Sequence, residues 1–595
     1  MLLLIGIPII SGVLCLFLSD KLKNLTRAMA FIVTLAALSA SILVFINKPL
    51  SWQGGTQVIF IADNLSGFIG MSIALFAFLV TIYSFGFIDR SYGTYFGYLL
   101  ITLGGSFGTI FSNDLLVLLV FWGLLTIPLY MLINVKGTDA ASSAAKKAMI
   151  IIGGTDSLMI FGIGAIWLMT KTVSMNSIHL KLDAVLPFIA YISILIAALA
   201  KAGAMPFHSW IPDVAEDSPA PVTAYLPASL DKLLGIYLLA RVSLNLFIMN
   251  SISNTILLVI GSVTIVLAVI FALIQHDLKR LLGYHAVSQV GYMVLGIGTG
   301  NPVGIAGALF HMLNHAVYKS CLFLCGGNVE KRAGTTDLAN LGGLSKYMPV
   351  TFASFLIASL SISGIPPFNG FVSKWMIYQG IIETAGAKNP LWVVWLVAAI
   401  FGSALTLASF MKLVHAIFLG RPSENSKKAK EAGFFMSFPV IALAGISFVF
   451  GVFAFVIPIR LFIAPSVSGI LTYAGIWDPT LATTLIVIGI VAGLLVYLLF
   501  REMKFRTVPT FIGGGDPDEL GRVSGTEFYN TIKEMKWLDK IYKKEEAKSF
   551  DIYEAGSKAT FFFTRKLQWL HNGVLPTYLV WCLIGTLILF LMVMR

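Results

Sequence analysis

The stretch VGIAGALFHMLNHAVYKSCLFLCGG, residues 303–327, decides how this chain is read. It is long enough and apolar enough to cross a bilayer as one helix. Yet it carries His311, His315 and Lys319, spaced four apart. Four residues advance a helix by about 400°, so these groups drift only about 40° per step along one face. Ionisable groups at membrane depth are costly, and they face a protein interior or a watered path rather than lipid. Such a face can form a section of proton wire. The plainer alternative is a structural polar network joining neighbouring helices.

The remainder of the chain agrees with a membrane interior. Of 595 residues, 57% are hydrophobic and 12% charged, with mean hydropathy +0.87. A soluble domain is nearer a quarter charged. Apolar runs of spanning length recur from end to end. The fold class is therefore an all-α polytopic membrane protein with about 16 transmembrane helices. Residues 219–247 and 350–388 each read as one span.

The net charge of +12 fits basic cytoplasmic loops, as the positive-inside rule requires. No basic stretch is interleaved with aromatics on a soluble face, which argues against nucleic acid. The start, MLLLIGIPIISGVLCLFL, lacks a basic region and is followed by Lys21, Lys23 and Arg27. It reads as a retained first span with its N-terminus outside the cell membrane. One inner loop, PDVAEDSP at 212–219, is acidic and departs from the pattern. A partner surface is the expected cause.

The four cysteines, Cys15, Cys321, Cys325 and Cys582, form no CxxC and no iron–sulfur spacing. No metal site and no cofactor is expected in this chain, so any electrons travel through partners. Residues 501–572 are highly charged with interspersed aromatics. They read either as a plain cytoplasmic loop or as a linker and a lateral amphipathic helix lying along the membrane face. About fifty residues of helix would reach roughly 75 Å. The expected organisation is N-terminal helices at 1–94, a core at 95–420, further spans at 421–500, the linker and lateral helix at 501–572, and an anchor at 573–595.

Further ionisable groups fall within the expected spans: Lys147, Asp156, Lys201, Asp231, Lys232, His285, Lys374 and Lys412. Their spread over many spans suggests a row rather than one site. Lys147, Lys374 and Lys412 lie close enough to span ends to snorkel, and His285 has a structural alternative. Desolvation makes the proton of a buried lysine exchangeable nearer neutrality, and a nearby carboxylate reverses that. Histidine passes protons between its two nitrogens.

Two stretches interrupt the helices. FHSWIPDVAEDSPAPVTAYLPAS contains Pro212, Pro219 and Pro221, and SISGIPPFNGFVSKW contains Gly364, Pro366, Pro367 and Gly370. Prolines and glycines at membrane depth break helices and free carbonyls, which is tolerated where protein or water lines the site. GAMPFHSW at 203–210 and GIPPFNGF at 364–371 share Gly-x-x-Pro-Phe, a faint echo that suits two structural repeats.

These segments, with DLKRLLGYHAVSQVGYMVLGIG and ALFHMLNHAVYKSCLFLCGGNV, resemble the antiporter-like subunits of respiratory complex I, Mrp antiporters and membrane-bound hydrogenases. The similarity covers roughly residues 60–420. It implies two inverted five-helix repeats, each with one broken helix, and a central hydrophilic axis. By motif position Lys201 is similar to the lysine of the first broken helix and Lys232 to the linking lysine of the next. His311, His315 and Lys319 lead towards the second repeat, where Lys374 is similar to the charged residue of its broken helix.

The family usually carries a glutamate after the tryptophan of the fifth helix. Here FWGLL places Gly123 there, so the usual partner of Lys201 is absent. Asp156 is the preferred substitute. Asp231 is a second candidate, although it adjoins Lys232 and neighbours on a helix point about 100° apart. FWGLLTIPLYMLI, the Asp231–Lys232 pair, His285 in GYHAVSQ and the ending LHNGVLPTYLVWCLIGTLILF resemble the large membrane subunit of energy-converting hydrogenases. That resemblance implies an ion-pumping subunit that is not itself the catalyst. Its partners would be other membrane subunits and a soluble redox arm carrying a nickel–iron centre and iron–sulfur clusters. A complex I type subunit and an Mrp-type sodium/proton antiporter are the alternatives.

Overall fold

The computed structural model describes residues 1–55, 57–386, 389–473, 475, 478–499 and 529–594. Among them, twelve helices are long and apolar enough to cross a membrane, and Leu2–Leu16 and Pro349–Ser363 are shorter apolar helices. The opening stretch lies within one helix, Pro302–Ala333, buried continuously from Val303 to Val329. It packs against Leu278–Gly298, Asn369–Gly386 and Phe434–Val452. The all-helical polytopic class therefore holds. Apolar side chains that remain exposed, such as Ile150, Val259 and Phe438, lie on outward helix faces, as lipid-facing positions do.

Close crossings use small residues. A Cβ on Gly261 would meet Gly291 O at 2.8 Å, and one on Gly291 would meet Gly261 O at 2.7 Å. Without side chains there, Ser251–Leu273 and Leu278–Gly298 bring their backbones into contact. A hairpin, Leu50–Gly54 against Gln57–Ala62, closes one end of the bundle.

Two helices are split. The first runs Val185–Ala202, breaks at Gly203, and resumes as Trp210–Asp217. The second runs Pro349–Ser363, breaks at Gly364, and resumes as Asn369–Gly386. The expected single span at 350–388 is thus two half-helices. Gly203 and Gly364 take φ of 77° and 79°, a left-handed geometry that a Cβ disfavours. Three residues on, Pro206 and Pro367 both follow cis peptide bonds, so the echo between the stretches is also one of backbone shape.

The proline assignments need correction. Gly364, Pro366 and Pro367 lie in the second break, and Pro219 caps Ala220–Tyr225. Pro212 and Pro221 interrupt nothing: they occupy the first turns of Trp210–Asp217 and Ala220–Tyr225. First-turn N–H groups have no intrahelical acceptor, so proline costs little there. The first break instead belongs to Gly203 and Pro206. The run at 219–247 is a composite in which π-helical turns, Leu226–Leu230 and Val242–Leu246, flank Asp231–Arg241.

The acidic loop also has an internal explanation. Asp213 accepts from Lys147 at 2.7 Å and Arg280 at 3.1 Å, and Glu216 pairs with Arg280 at 2.8 Å. Two of its three carboxylates thus pair with basic groups of the same chain. At the same end Glu330 pairs with Lys136 and Lys279, and Lys331 with Asp89.

The lateral element is not one helix of fifty residues. Its described part is Asn530–Lys533, Lys536–Glu546 and Ile552–Leu570, interrupted at 547–551, where Lys548 has φ 55°. The linker expected from 501 lies outside the described residues up to 528. Pro479–Leu499 and Leu575–Val593 stand almost wholly exposed.

Candidate functional site

The first break frees backbone carbonyls, and basic or polar side chains collect them. The Gly203 N–H turns back to Leu199 O at 2.8 Å. Ala200 O then accepts from Trp210 Nε1 at 3.1 Å, and Ala202 O accepts from Lys232 Nζ at 2.5 Å. Lys232 reaches it because the π-helical turn at 226–230 adds a residue to that turn and re-aims the helix beyond it.

Lys201 is one residue before Ala202 and fully buried. Its Nζ has no hydrogen-bond partner and sits 4.4 Å from the centre of the Trp122 ring, a cation–π contact. The carboxylates that act on it electrostatically are Asp231 first and Asp156 second. Asp156 is tied into the cluster through Trp122, whose Nε1 donates to its Oδ1 at 3.0 Å. Asp231, the candidate ranked second from sequence, is therefore the stronger counter-charge. A Cβ on Gly123 would meet nothing within 4 Å, so the position has room for a side chain to start.

From there a row of buried bases continues. His315 lies in the field of both Lys232 and Lys319. Neither of its ring nitrogens makes a well-formed hydrogen bond, and the Ala228 backbone acts on the ring. Lys319 Nζ is likewise unpaired and lies 5.5 Å from the Phe410 ring centre and 5.8 Å from that of Phe323. His285 feels Lys319 and Lys374, and its Nε2 shares a 2.7 Å hydrogen bond with the Ser409 hydroxyl. His311 feels Lys374; in the neutral ring its Nε2 donates to Gln289 Oε1 at 3.2 Å, leaving Nδ1 to accept from Ser373 Oγ at 2.9 Å.

Lys374 closes the row at the second break. Its Nζ donates to Ile362 O at 2.8 Å and sits 4.8 Å from the Tyr292 ring centre. The break is braced by the Ser361 hydroxyl on Asn369 Oδ1 and by Asn314 Nδ2 on Asn369 O at 2.9 Å. At each split helix a carbonyl within two residues of the left-handed glycine thus accepts from a lysine, Lys232 of the neighbouring helix at the first and Lys374 at the second.

Lys412 is not brought into this row. Its Nζ donates to Leu273 O at 2.8 Å and Gln275 O at 3.0 Å, capping the end of Ser251–Leu273. Lys147, singled out in the sequence but not ranked with the site, lies at the charged end against Asp213 and Asp551. His208, inside the quoted FHSW, escaped notice because a lone histidine beside prolines carries no periodic signal. It is buried beside the first break with Nδ1 unpartnered. At the opposite end Arg241 grips Asp63 at 2.6 and 2.7 Å. Burial pushes the Asp63 carboxyl up, but Arg241 and Ser66 more than reverse this and hold it below its ordinary value.

Among the described residues, no cluster of three or more His, Cys, Asp or Glu could hold a metal ion.

Comparison with known proteins places this arrangement. The family profile described as NADH:quinone oxidoreductase/Mrp antiporter, transmembrane, matches residues 112–406, a range that includes both split helices. Subunit A1 of a Na(+)/H(+) antiporter from Staphylococcus haemolyticus is 34% identical over 434 residues, 68% of this chain and 54% of that protein. Its counterpart from Staphylococcus epidermidis is 33% identical over 438 residues, 69% of this chain and 54% of that protein. The chain thus spans about half the length of the curated relatives it matches. In fold, it matches a subunit of an archaeal membrane-bound sulfane sulfur reductase complex at TM-score 0.82, covering 99% of both chains at 24% identity. The Mrp complex of Dietzia matches at TM-score 0.72 and 22% identity, covering 78% of this chain and 96% of that one. Respiratory complex I of Thermus thermophilus matches at 0.68 and 20%, covering 78% and 97%.

Proposed function

We propose that this chain, an antiporter-like membrane subunit of the NADH:quinone oxidoreductase/Mrp type, moves protons across the cell membrane for redox work done by partner subunits. The support for this reading is the row of buried bases running from Lys232, bound to Ala202 O at the first break, through His315, Lys319 and His285 to Lys374 at the second. Protonating one member raises the cost of protonating the next, so a charge change at one end moves along the row. Moving one charge against 100 mV requires about 2.3 kcal/mol, within reach of shifts of one or two pKa units at a few sites.

The redox-driven setting is supported by coverage. The match to one respiratory membrane complex extends over 99% of the chain, while the complex I and Mrp matches both reach 78%. Within that setting the Gly123 departure and the C-terminal motif favour an energy-converting, membrane-bound hydrogenase, with the nickel–iron and iron–sulfur centres in a soluble arm. The positive-inside rule supports an orientation with the basic loops in the cytoplasm. A second reading, a subunit of a sodium/proton antiporter, is favoured by the 34% identity to such a subunit.

The test is reconstitution of the purified complex in proteoliposomes. Redox-driven acidification should be lost in Lys201→Ala while electron transfer continues. Acidification that persists would refute the reading. Exchange of sodium for protons without any electron donor would favour the antiporter. Nickel, iron and hydrogen evolution in the purified complex would identify the arm.

A further inference from the structure

In the C-terminal arm, residues 529–594, the helix Ile552–Leu570 is tied down at its start and open beyond it. Asp551 Oδ2 accepts from Lys147 Nζ at 2.5 Å, and its Oδ1 accepts from Ser209 Oγ at 2.6 Å and from the Tyr553 N–H at 2.9 Å. Asp551 thereby caps the helix and fixes its first turn beside Asp139–Thr170. Past this tie, among the described residues, none of Ile552–Leu570 is buried. Phe561, Phe562, Phe563 and Trp569 are each at least 59% exposed. A contiguous run of rings on one short helix calls for a cover other than water.

Two adjoining hollows lie along the helix. The first, about 420 Å³, separates it from Asp139–Thr170, with Ile150, Ile151 and Gly154 on one wall and Tyr553, Gly556 and Thr560 on the other. A Cβ on Gly154 or on Gly556 would meet nothing within 4 Å, so the slot is open between its walls. Ile150 and Ile151 lie one turn beyond Lys147, where the apolar part of a spanning helix begins. The slot is therefore at the upper edge of the hydrocarbon. Ser557 and Phe561 line both hollows and join the slot to the second.

The second hollow is of opposite character. Lys558, Phe562, Arg565 and Trp569 line it, and their spacing of four, three and four puts them on one helix face. Lys566 lies beside them, its Nζ 5.8 Å from the Phe562 ring centre. From Ala555 to Leu570 there are three basic residues and no acidic one, so the rim has a net charge of its own. Glu554, the nearest acid in the helix, faces Lys548 at 3.9 Å. A slot at hydrocarbon depth beneath a cationic, aromatic rim fits a molecule with an apolar chain and an anionic head. Guanidinium groups bind phosphate in a bidentate manner, and tryptophan sits at headgroup level. An acidic protein segment or free phosphate would pair the cations and leave the slot unfilled.

We infer that Ile552–Leu570 and Asp139–Thr170 together seat an anionic membrane lipid. Its phosphate is held by Lys558 and Arg565, and one apolar chain enters the slot between Ile151 and Gly556. The lipid supplies the apolar cover that the bundle does not provide beyond Asp551, so it holds the arm against the bundle. The seat is the same whichever ion the chain moves.

The test uses the whole complex in vesicles of equal phosphatidylglycerol and phosphatidylcholine. Phe561, which lines both hollows, is replaced by the photoreactive p-benzoylphenylalanine. On irradiation, mass spectrometry of the arm should show phosphatidylglycerol attached about tenfold more than phosphatidylcholine. A basic residue near anionic headgroups is worth about fivefold in binding, so Lys558→Gln with Arg565→Gln should cut that ratio by at least about fivefold. Gly556→Leu, whose Cβ meets nothing within 4 Å, fills the slot and should lower attachment of both lipids by about threefold while keeping the preference. In phosphatidylcholine alone, chymotrypsin should cut the unmodified arm at Phe561, Phe562 or Phe563 faster than in phosphatidylglycerol alone. Equal attachment of the two lipids, or a ratio unmoved by the double variant, would overturn the seat. Adducts to a partner subunit in place of lipid would overturn it too, and would make this face a protein interface. Should the double variant fail to assemble, Lys558→Gln and Arg565→Gln singly should each lower the ratio by about threefold, and no change in either would again overturn it.

Discussion

The two breaks share a backbone and differ in charge. At each, a left-handed glycine ends a half-helix and a lysine takes a freed carbonyl: Lys232 on Ala202 O, Lys374 on Ile362 O. Around the first, Asp231 and Asp156 face Lys201. Around the second, the groups acting on one another are Lys319, His285, His311 and Lys374, all bases, and no carboxylate acts on these four among the described residues. The first half can hold a positive charge with compensation. The second can hold a charge only by excluding another nearby. Opposite-charge pairing stores a proton, while like-charge repulsion passes it on.

The largest effect that tests this contrast is removal of the compensation. Asp231→Asn, nearly isosteric, should reduce redox-driven proton pumping by at least about tenfold, because it leaves buried ammonium groups without their main counter-charge. Asp156→Asn should reduce it less, since its charge acts second on Lys201. Initial rates of acidification in proteoliposomes decide the order, and the reverse order would break the asymmetry.

The backbone likeness can be probed by stability. Gly203→Ala and Gly364→Ala each force a side chain into left-handed geometry, at about 1–2 kcal/mol. At Gly203 the new Cβ would also collide with Ile211 Cδ1, whereas at Gly364 its nearest neighbour is Lys374 Cδ at 3.1 Å. The melting temperature of the complex should therefore fall further for Gly203→Ala.

A smaller effect sharpens the first half alone. Gly123→Glu should fold, because the site is open around a Cβ, and it should restore part of the pumping lost in Asp156→Asn. No recovery would mean that the two positions do not substitute for one another.

The smallest effect concerns pH at the arm. Burial raises the Asp551 carboxyl, but the bonds from Lys147 and Ser209 outweigh it and hold the group below its ordinary value. A depressed carboxylate contributes its stability fully above the ordinary value of about 3.9 and loses it as pH falls through the folded value. Limited proteolysis of residues 529–594 should therefore be constant from neutral pH down to about 4 and rise below it. Asp551→Asn should remove that rise.

The Pro302–Ala333 helix, the breaks near Gly364 and the mid-membrane lysines were all legible in the sequence, because polarity within an apolar run and glycine or proline within a span are local signals. Four features were not. Pro212 and Pro221 looked like breaks, since composition does not reveal which residue is the first of a helix. The acidic 212–219 loop looked like a partner surface, since Lys147 and Arg280, its own counter-charges, lie 66 and 67 residues away. Asp231 looked badly aimed, because a π-helical turn leaves no clear mark in sequence. The lateral element was legible only as a charged, aromatic stretch that reads as loop or as lateral helix, because the residues around Lys548 carry no signal of the interruption at 547–551.

Residue order alone established a many-span helical protein with bases where lipid forbids them, because hydropathy and the cost of a charge in hydrocarbon belong to the residues themselves. Which base faces which acid, and that Asp551 reaches back to Lys147 and Ser209, emerged solely from the folded chain. Those interactions depend on distance and orientation across elements far apart in the chain, and they fall off too steeply with separation for residue order to fix them.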